Sequence, residues 1–161
     1  MKGKLRQVTL CLLIKDNQVL LAMKKRGFGK GKWNGVGGKL KEGETLQQAA
    51  IREAKEEIGV TPLSLRKVAV LDFYFPEIPA DKDWNQQVVV FEVDKWKGEP
   101  VESEEMAPKW FDINEVPFDD MWPGNNYWMT PVFAGKKVRG ELFFAGEGEL
   151  KSHKVQEVDR L

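Results

Sequence analysis

Residues 38–60, GKLKEGETLQQAAIREAKEEIGV, narrow what this chain can fold into more than any other segment. Thr45 followed three residues later by Gln48 has the form of a capping box, in which each side chain satisfies a backbone donor of the first helical turn. The spacing predicts a helix that begins near Leu46 and stops at Gly59, a residue free to take the left-handed conformation of a helix end. Leu46, Ala49, Ala50 and Ile58 supply an apolar stripe for a core. Another face carries Glu53, Glu56 and Glu57 at i, i+3 and i+4. Three carboxylates on one side repel each other and destabilise an isolated helix, so a cation is needed to offset them. Hard oxygen ligands grouped this way suit Mg²⁺, or Mn²⁺, which bind carboxylates, water and phosphate oxygens together. For three glutamates alone, ordinary solvated surface is the competing reading.

Strand patterns flank this helix. Val8 to Ile14 and Val19 to Met23 are rich in Val, Leu and Ile, and Asp16-Asn17 between them has turn chemistry, which predicts a hairpin. The following KKRGFGKGKWNGVGGK is glycine-rich and basic, so its backbone can approach a ligand closely and its charges attract phosphate. Strands are expected at Val68 to Phe75, with Phe73 and Phe75 on one face, at Gln87 to Val93, at Lys109 to Phe111 and at Val138 to Phe144. Asp112 is placed to cap a short helix that ends before Pro117. Phe118 to Phe133 crowds Trp122, Tyr127 and Trp128 together, rings that suit a core or stacking on a flat ligand. Residues 146–161 are charged and are expected either to fray or to add an edge strand.

Size and charge bound the rest. A chain of 161 residues suits a single domain, 1–161, with a core of its own. Lys+Arg and Asp+Glu are both 25, which argues against tight nonspecific binding to a nucleic acid polymer and leaves a small anionic substrate as the partner. Cys11 is the one cysteine, so no internal disulfide forms and a reducing, cytoplasmic setting is expected. MKGKLRQ is not expected to open a signal peptide, and no apolar run is long enough to span a membrane. His153, the lone histidine, has no nucleophile near it in sequence and is not expected to be catalytic. A monomer is expected.

The acidic helix belongs to a longer pattern. Gly38, five residues, Glu44, seven residues, Arg52-Glu53, two residues, Glu56-Glu57, one residue and Gly59 are seven fixed identities. Background composition matches all seven at a given start on the order of once in a hundred million. The pattern resembles the Nudix box, with Ala54 where that family has a bulky aliphatic residue. MKKRGFGKGKWNGVGGK, PVESEEM, WF and MWP followed by YW are similar to the branch of Nudix hydrolases that acts on oxidised purine nucleoside triphosphates.

That resemblance implies an α/β fold, an α/β/α sandwich around a mixed β-sheet. It implies hydrolysis of a nucleoside triphosphate to the monophosphate and pyrophosphate, in sanitation of the nucleotide pool. Glu53, Glu56 and Glu57, the Gly37 carbonyl and Glu105 would bind the Mg²⁺, and Arg52 would orient a carboxylate. Either Glu56 or Glu53 would take the proton of the attacking water. Thr9, Lys24, Phe28, Asn34, Phe73, Trp122 and Trp128 fall where the family lines its substrate pocket. The branch carries an acidic pair after MWP, whereas this chain has Gly124 and Asn125. An Asn amide can accept the N7 hydrogen of 8-oxoguanine and donate to O6, so 8-oxo-dGTP is the leading substrate and Asn125, or Asn126 in its place, its reader. The alternatives are a Nudix enzyme for another diphosphate, such as a methylated purine triphosphate or a dinucleotide, and a noncatalytic nucleotide-binding module.

Overall fold

Alternation along the first strand sets the architecture. In β1 (Arg6–Lys15), Leu10 and Leu12 enter one buried cluster while Cys11 and Leu13 enter another. A strand apolar on both sides must be covered on both faces. The computed structural model describes residues 5–27 and 29–161. It continues with β2 (Gln18–Lys24), β3 (Trp33–Asn34), α1 (Leu46–Ile58), β4 (Thr61–Pro62), β5 (Arg66–Tyr74), β6 (Gln86–Val93), β7 (Trp96–Lys97), β8 (Met106–Asp112), α2 (Asn125–Phe133), β9 (Lys137–Ala145) and β10 (Glu149–Val158). Phe28 lies outside the described residues.

The main sheet runs β10-β9-β5-β6-β1-β2-β3, with β8 also paired to β2. β1 with β6 and β5 with β9 are parallel and the other pairs antiparallel, so the sheet is mixed. Ala50, Ala54 and Ile58 of α1 pack with Cys11, Leu13, Val89 and Phe91 on one face. Trp128, Met129 and Val132 of α2 pack with Leu10, Leu12, Val88 and Phe73 on the other. This is the expected α/β/α sandwich. Among the described residues no helix is long and apolar enough to cross a membrane.

The local signals at α1 are present as bonds. Gln48 N donates to Thr45 Oγ1 at 3.1 Å and Thr45 N donates to Gln48 Oε1 at 2.9 Å. Gly59, at φ 74°, returns its N–H to Lys55 O. Ala54 is fully buried, so the small residue in place of a bulky aliphatic is a core residue. Cys11 Sγ sits 3.9 Å from Ala50 O, and burial, followed by the charge of Glu57, pushes its thiol up to about 12, which leaves it inert. Asp16 and Asn17, at φ 52° and 65°, make the expected hairpin turn.

Three segments differ from expectation. Asp112 does not cap a helix: its Oδ1 accepts from Asn114 N at 2.8 Å and closes a turn instead. β8 is longer than the three residues expected, because Met106 and Pro108 continue the pairing with Lys24 and Ala22. The aromatic segment contains the unanticipated α2. Of the two outcomes expected for residues 146–161, the edge strand is the one formed, with residues 149–158 paired antiparallel to β9.

Candidate active site

Glycine is required where the loop before α1 crosses β1. Cys11 and Val36 exchange both backbone hydrogen bonds, and Thr9 N donates to Gly38 O at 2.8 Å. A Cβ on Gly37 would lie 1.8 Å from Thr9 O, and one on Gly38 would lie 2.6 Å from Glu53 Cδ. Backbone blocks any side chain at Gly37, and one at Gly38 would have to displace the Glu53 carboxylate, so the loop lies directly between β1 and that carboxylate.

Arg52 organises the acidic face. Nε and Nη2 grip the two oxygens of Glu44 at 2.7 and 3.0 Å. Nη1 reaches Glu53 Oε1 at 2.8 Å and Glu56 Oε2 at 3.3 Å, and Nη2 also donates to Lys39 O at 3.0 Å. Five bonds match the five N–H donors of a guanidinium. The hydrogen bonds from Arg52, and then that from Lys41 N, hold the Glu44 carboxyl down at about 2.

Glu57 is different. It is 5 % exposed, and among the described residues its Oε2 has no hydrogen-bond partner. Burial foremost, and then the negative charge of Glu53, push its carboxyl well above the ordinary range; Glu105 adds to this and a Gly37 backbone bond opposes it. In this side-chain arrangement no three acidic groups among the described residues converge on one point. Glu53 and Glu56 are drawn toward Arg52, Glu56 is exposed, and Glu105 pairs with Arg26 at 3.4 Å. A buried carboxylate with an orphaned oxygen beside a second carboxylate nevertheless fits a hard divalent cation, whose charge would remove the cost of ionising Glu57.

On the opposite face of the sheet lies a cavity of about 520 Å³. Val8, Leu10, Val88 and Phe73 contribute apolar lining from three strands, and Trp33, Trp84, Trp122 and Trp128 add indole rings. Arg6, Lys24, Lys32, Lys39 and Lys82 also line it, and among the described residues no carboxylate does. Gly37 and Gly38 are part of the lining too, so the cavity reaches the loop on which Glu53 rests.

Of the residues expected to bind substrate, Thr9, Lys24, Asn34, Phe73, Trp122, Asn125 and Trp128 all line this one cavity. Phe73 is core as well, edge-on to Phe144 at 5.6 Å. Asn126 is exposed and is not part of the lining. Asn125 is 3 % exposed; its Oδ1 accepts from Trp128 Nε1 at 3.1 Å, while its Nδ2 is buried and without a partner. The indole, which can only donate, fixes the amide orientation and leaves the NH₂ for an occupant of the cavity. Asn34 Oδ1 is likewise engaged, by Gly35 N at 2.9 Å. Sequence reasoning missed Trp84 and Lys82, which enter from the loop between β5 and β6; Trp84 stands edge-on to Phe75 at 5.4 Å. A tryptophan beside the charged run Asp81-Lys82-Asp83 was the available signal.

Residues 4–156 match the NUDIX domain model. The oxidized purine nucleoside triphosphate hydrolases of Mus musculus and Danio rerio are each 43% identical over 154 residues, 96% of this chain and 96% of theirs. A MutT protein from Bacillus halodurans has a similar structure, with a TM-score of 0.81 at 25% identity, covering 94% of this chain and 97% of that one. Agreement over nearly the whole length, with the glycine loop and the Arg52 hub formed as the motif requires, makes the chain a member of the Nudix family.

Proposed function

We propose that this chain, as a single domain and a monomer, hydrolyses oxidised purine nucleoside triphosphates, 8-oxo-dGTP foremost, to the monophosphate and pyrophosphate with Mg²⁺. The observation that carries the reading is the meeting, at Gly37 and Gly38, of an indole-lined cavity with the carboxylates of α1. The cavity is of a size that small ligands occupy. The activity named for the mouse and zebrafish relatives supports it.

The chain's own groups divide the work. Lys24, Lys32 and Lys39 draw the phosphate chain toward the glycine loop. Glu57, Glu53 and Glu56, with Gly37 and Glu105, would hold Mg²⁺, which when bound neutralises phosphate charge and polarises the linkage to be cut. Arg52 holds one oxygen of Glu53 and one of Glu56, and one of these two carboxylates takes the proton of the attacking water. Asn125 NH₂ donates to a purine carbonyl, and its Oδ1, with a second lone pair beyond the one used by Trp128, accepts the N7 hydrogen that oxidation adds. Ordinary guanine offers a lone pair at N7 instead, a mismatch of about 1–3 kcal/mol, or roughly ten- to a hundredfold. A single buried Cys11, with no second cysteine to pair with, suits the reducing cytoplasm as the compartment.

A panel of normal, oxidised and methylated nucleoside triphosphates, compared by kcat/KM with pyrophosphate release as the readout, tests this reading. The expected result is a maximum for 8-oxo-dGTP, complete loss with a chelator, and a preference over dGTP that shrinks in Asn125→Ala. A maximum for a methylated purine would reassign the substrate, and turnover that survives chelation would remove the metal.

A further inference from the structure

β10 and the turn before it press on the segment that walls the cavity. A Cβ on Gly148 would lie 3.1 Å from Trp122 Cη2, and one on Gly124 would lie 2.5 Å from Leu142 and 3.5 Å from Leu150. Further along β10, the His153 ring stacks on Tyr127 with centroids 3.8 Å apart and planes 20° from parallel. Gly148, Leu150 and His153 do not line the cavity.

The segment they touch is packed on two sides. α2 follows Gly124, has no side-chain cap and contains Pro131, so packing rather than local signals sets its position, with Trp128, Met129 and Val132 in the core on its inner side. Asn125 and Trp128 are buried and face the cavity, whereas Tyr127, two residues after Asn125, projects from another side of the helix and is exposed. The stack on His153 is therefore made on the outward side of the turn that carries Asn125.

We propose that His153 is a positioning residue for base recognition: stacked on Tyr127, and aided by Leu150 and Gly148 against Gly124 and Trp122, it holds the Trp122–Trp128 wall of the cavity in register. This rests on the reading that the cavity binds the base of a nucleotide. The terminal strand then sets affinity without touching substrate or the acidic face.

The test is steady-state kinetics on 8-oxo-dGTP with His153→Ala, His153→Phe and Gly148→Leu, with thermal melts to establish that each variant folds. His153→Ala should raise KM roughly two- to tenfold, the worth of one aromatic pair, with kcat and the Mg²⁺ dependence unchanged. His153→Phe, which keeps a flat ring, should restore KM. Gly148→Leu should raise KM by pushing on Trp122. An unchanged KM in a folded His153→Ala protein, a fall in kcat alone, or no rescue by Phe overturns the brace. Failure of the unsubstituted chain to turn over any nucleoside triphosphate overturns the nucleotide reading, and the brace with it.

Discussion

Arg52 shows how one residue can fix a charged surface. All five of its donors are engaged, so a lysine, with three donors and no planar fork, cannot replace it. Its grip on Glu44 has a pH signature. The Glu44 carboxyl is held at about 2, below its ordinary value of 4.5, so the pairing stabilises the fold above the ordinary carboxylate range and is lost as pH falls from there toward about 2. Thermal melts across that interval should decline less steeply in Glu44→Gln than in the parent; equal slopes would show that the pair adds nothing to stability. Glu57 shifts the other way, and Glu57→Gln keeps the neutral form that the fold without a cation favours. That variant should melt no lower than the parent in chelator, yet lose its gain from Mg²⁺.

At the scale of elements, the two helices differ in how far their sequences announce them. α1 carries a capping box, an apolar stripe and a terminal glycine, all local signals, and each is realised as a bond or a buried side chain. α2, NNYWMTPVF, has no side-chain cap, a proline inside and apolar residues over most of its surface, so it lacks the polar and apolar alternation that marks a helix. Asp112 misled for a related reason, since a carboxylate accepting from the backbone two residues on serves a turn as well as a helix start. The residues of the acidic face were legible because they share one helix. Trp84 and Lys82 were not, because distant partners hold their loop: Asn85 Oδ1 accepts from Phe75 N, and Glu77 Oε1 accepts from Gly146 N. Gly124 gives the element-scale prediction. At φ 98°, with Leu142 where a Cβ would go, it cannot take back the acidic residue expected of the branch. Gly124→Asp should destabilise the fold by about 1–3 kcal/mol in denaturant titrations, and a stability equal to the parent would contradict the packing described.

Across the whole molecule, the sheet separates two tasks. The carboxylates lie on the α1 side and the cavity mainly on the α2 side, and the two meet at the loop of Gly37, Gly38 and Lys39 that crosses β1. Defects on the two sides should be separable. Glu57→Gln should abolish turnover while leaving the affinity for 8-oxo-dGMP, measured by calorimetry, close to that of the parent. Trp122→Ala should weaken that affinity, with the Mg²⁺ dependence of the residual turnover unchanged. The seam at Gly37 and Gly38 also shapes how such a chain can change over generations. No other residue fits at Gly37 against Thr9, and one at Gly38 would displace the Glu53 carboxylate, so both positions resist mutational drift. The α2 segment and the loop around Trp84 line the same cavity away from that seam, so substitutions there can reshape the cavity while the glycine crossing is inherited unaltered.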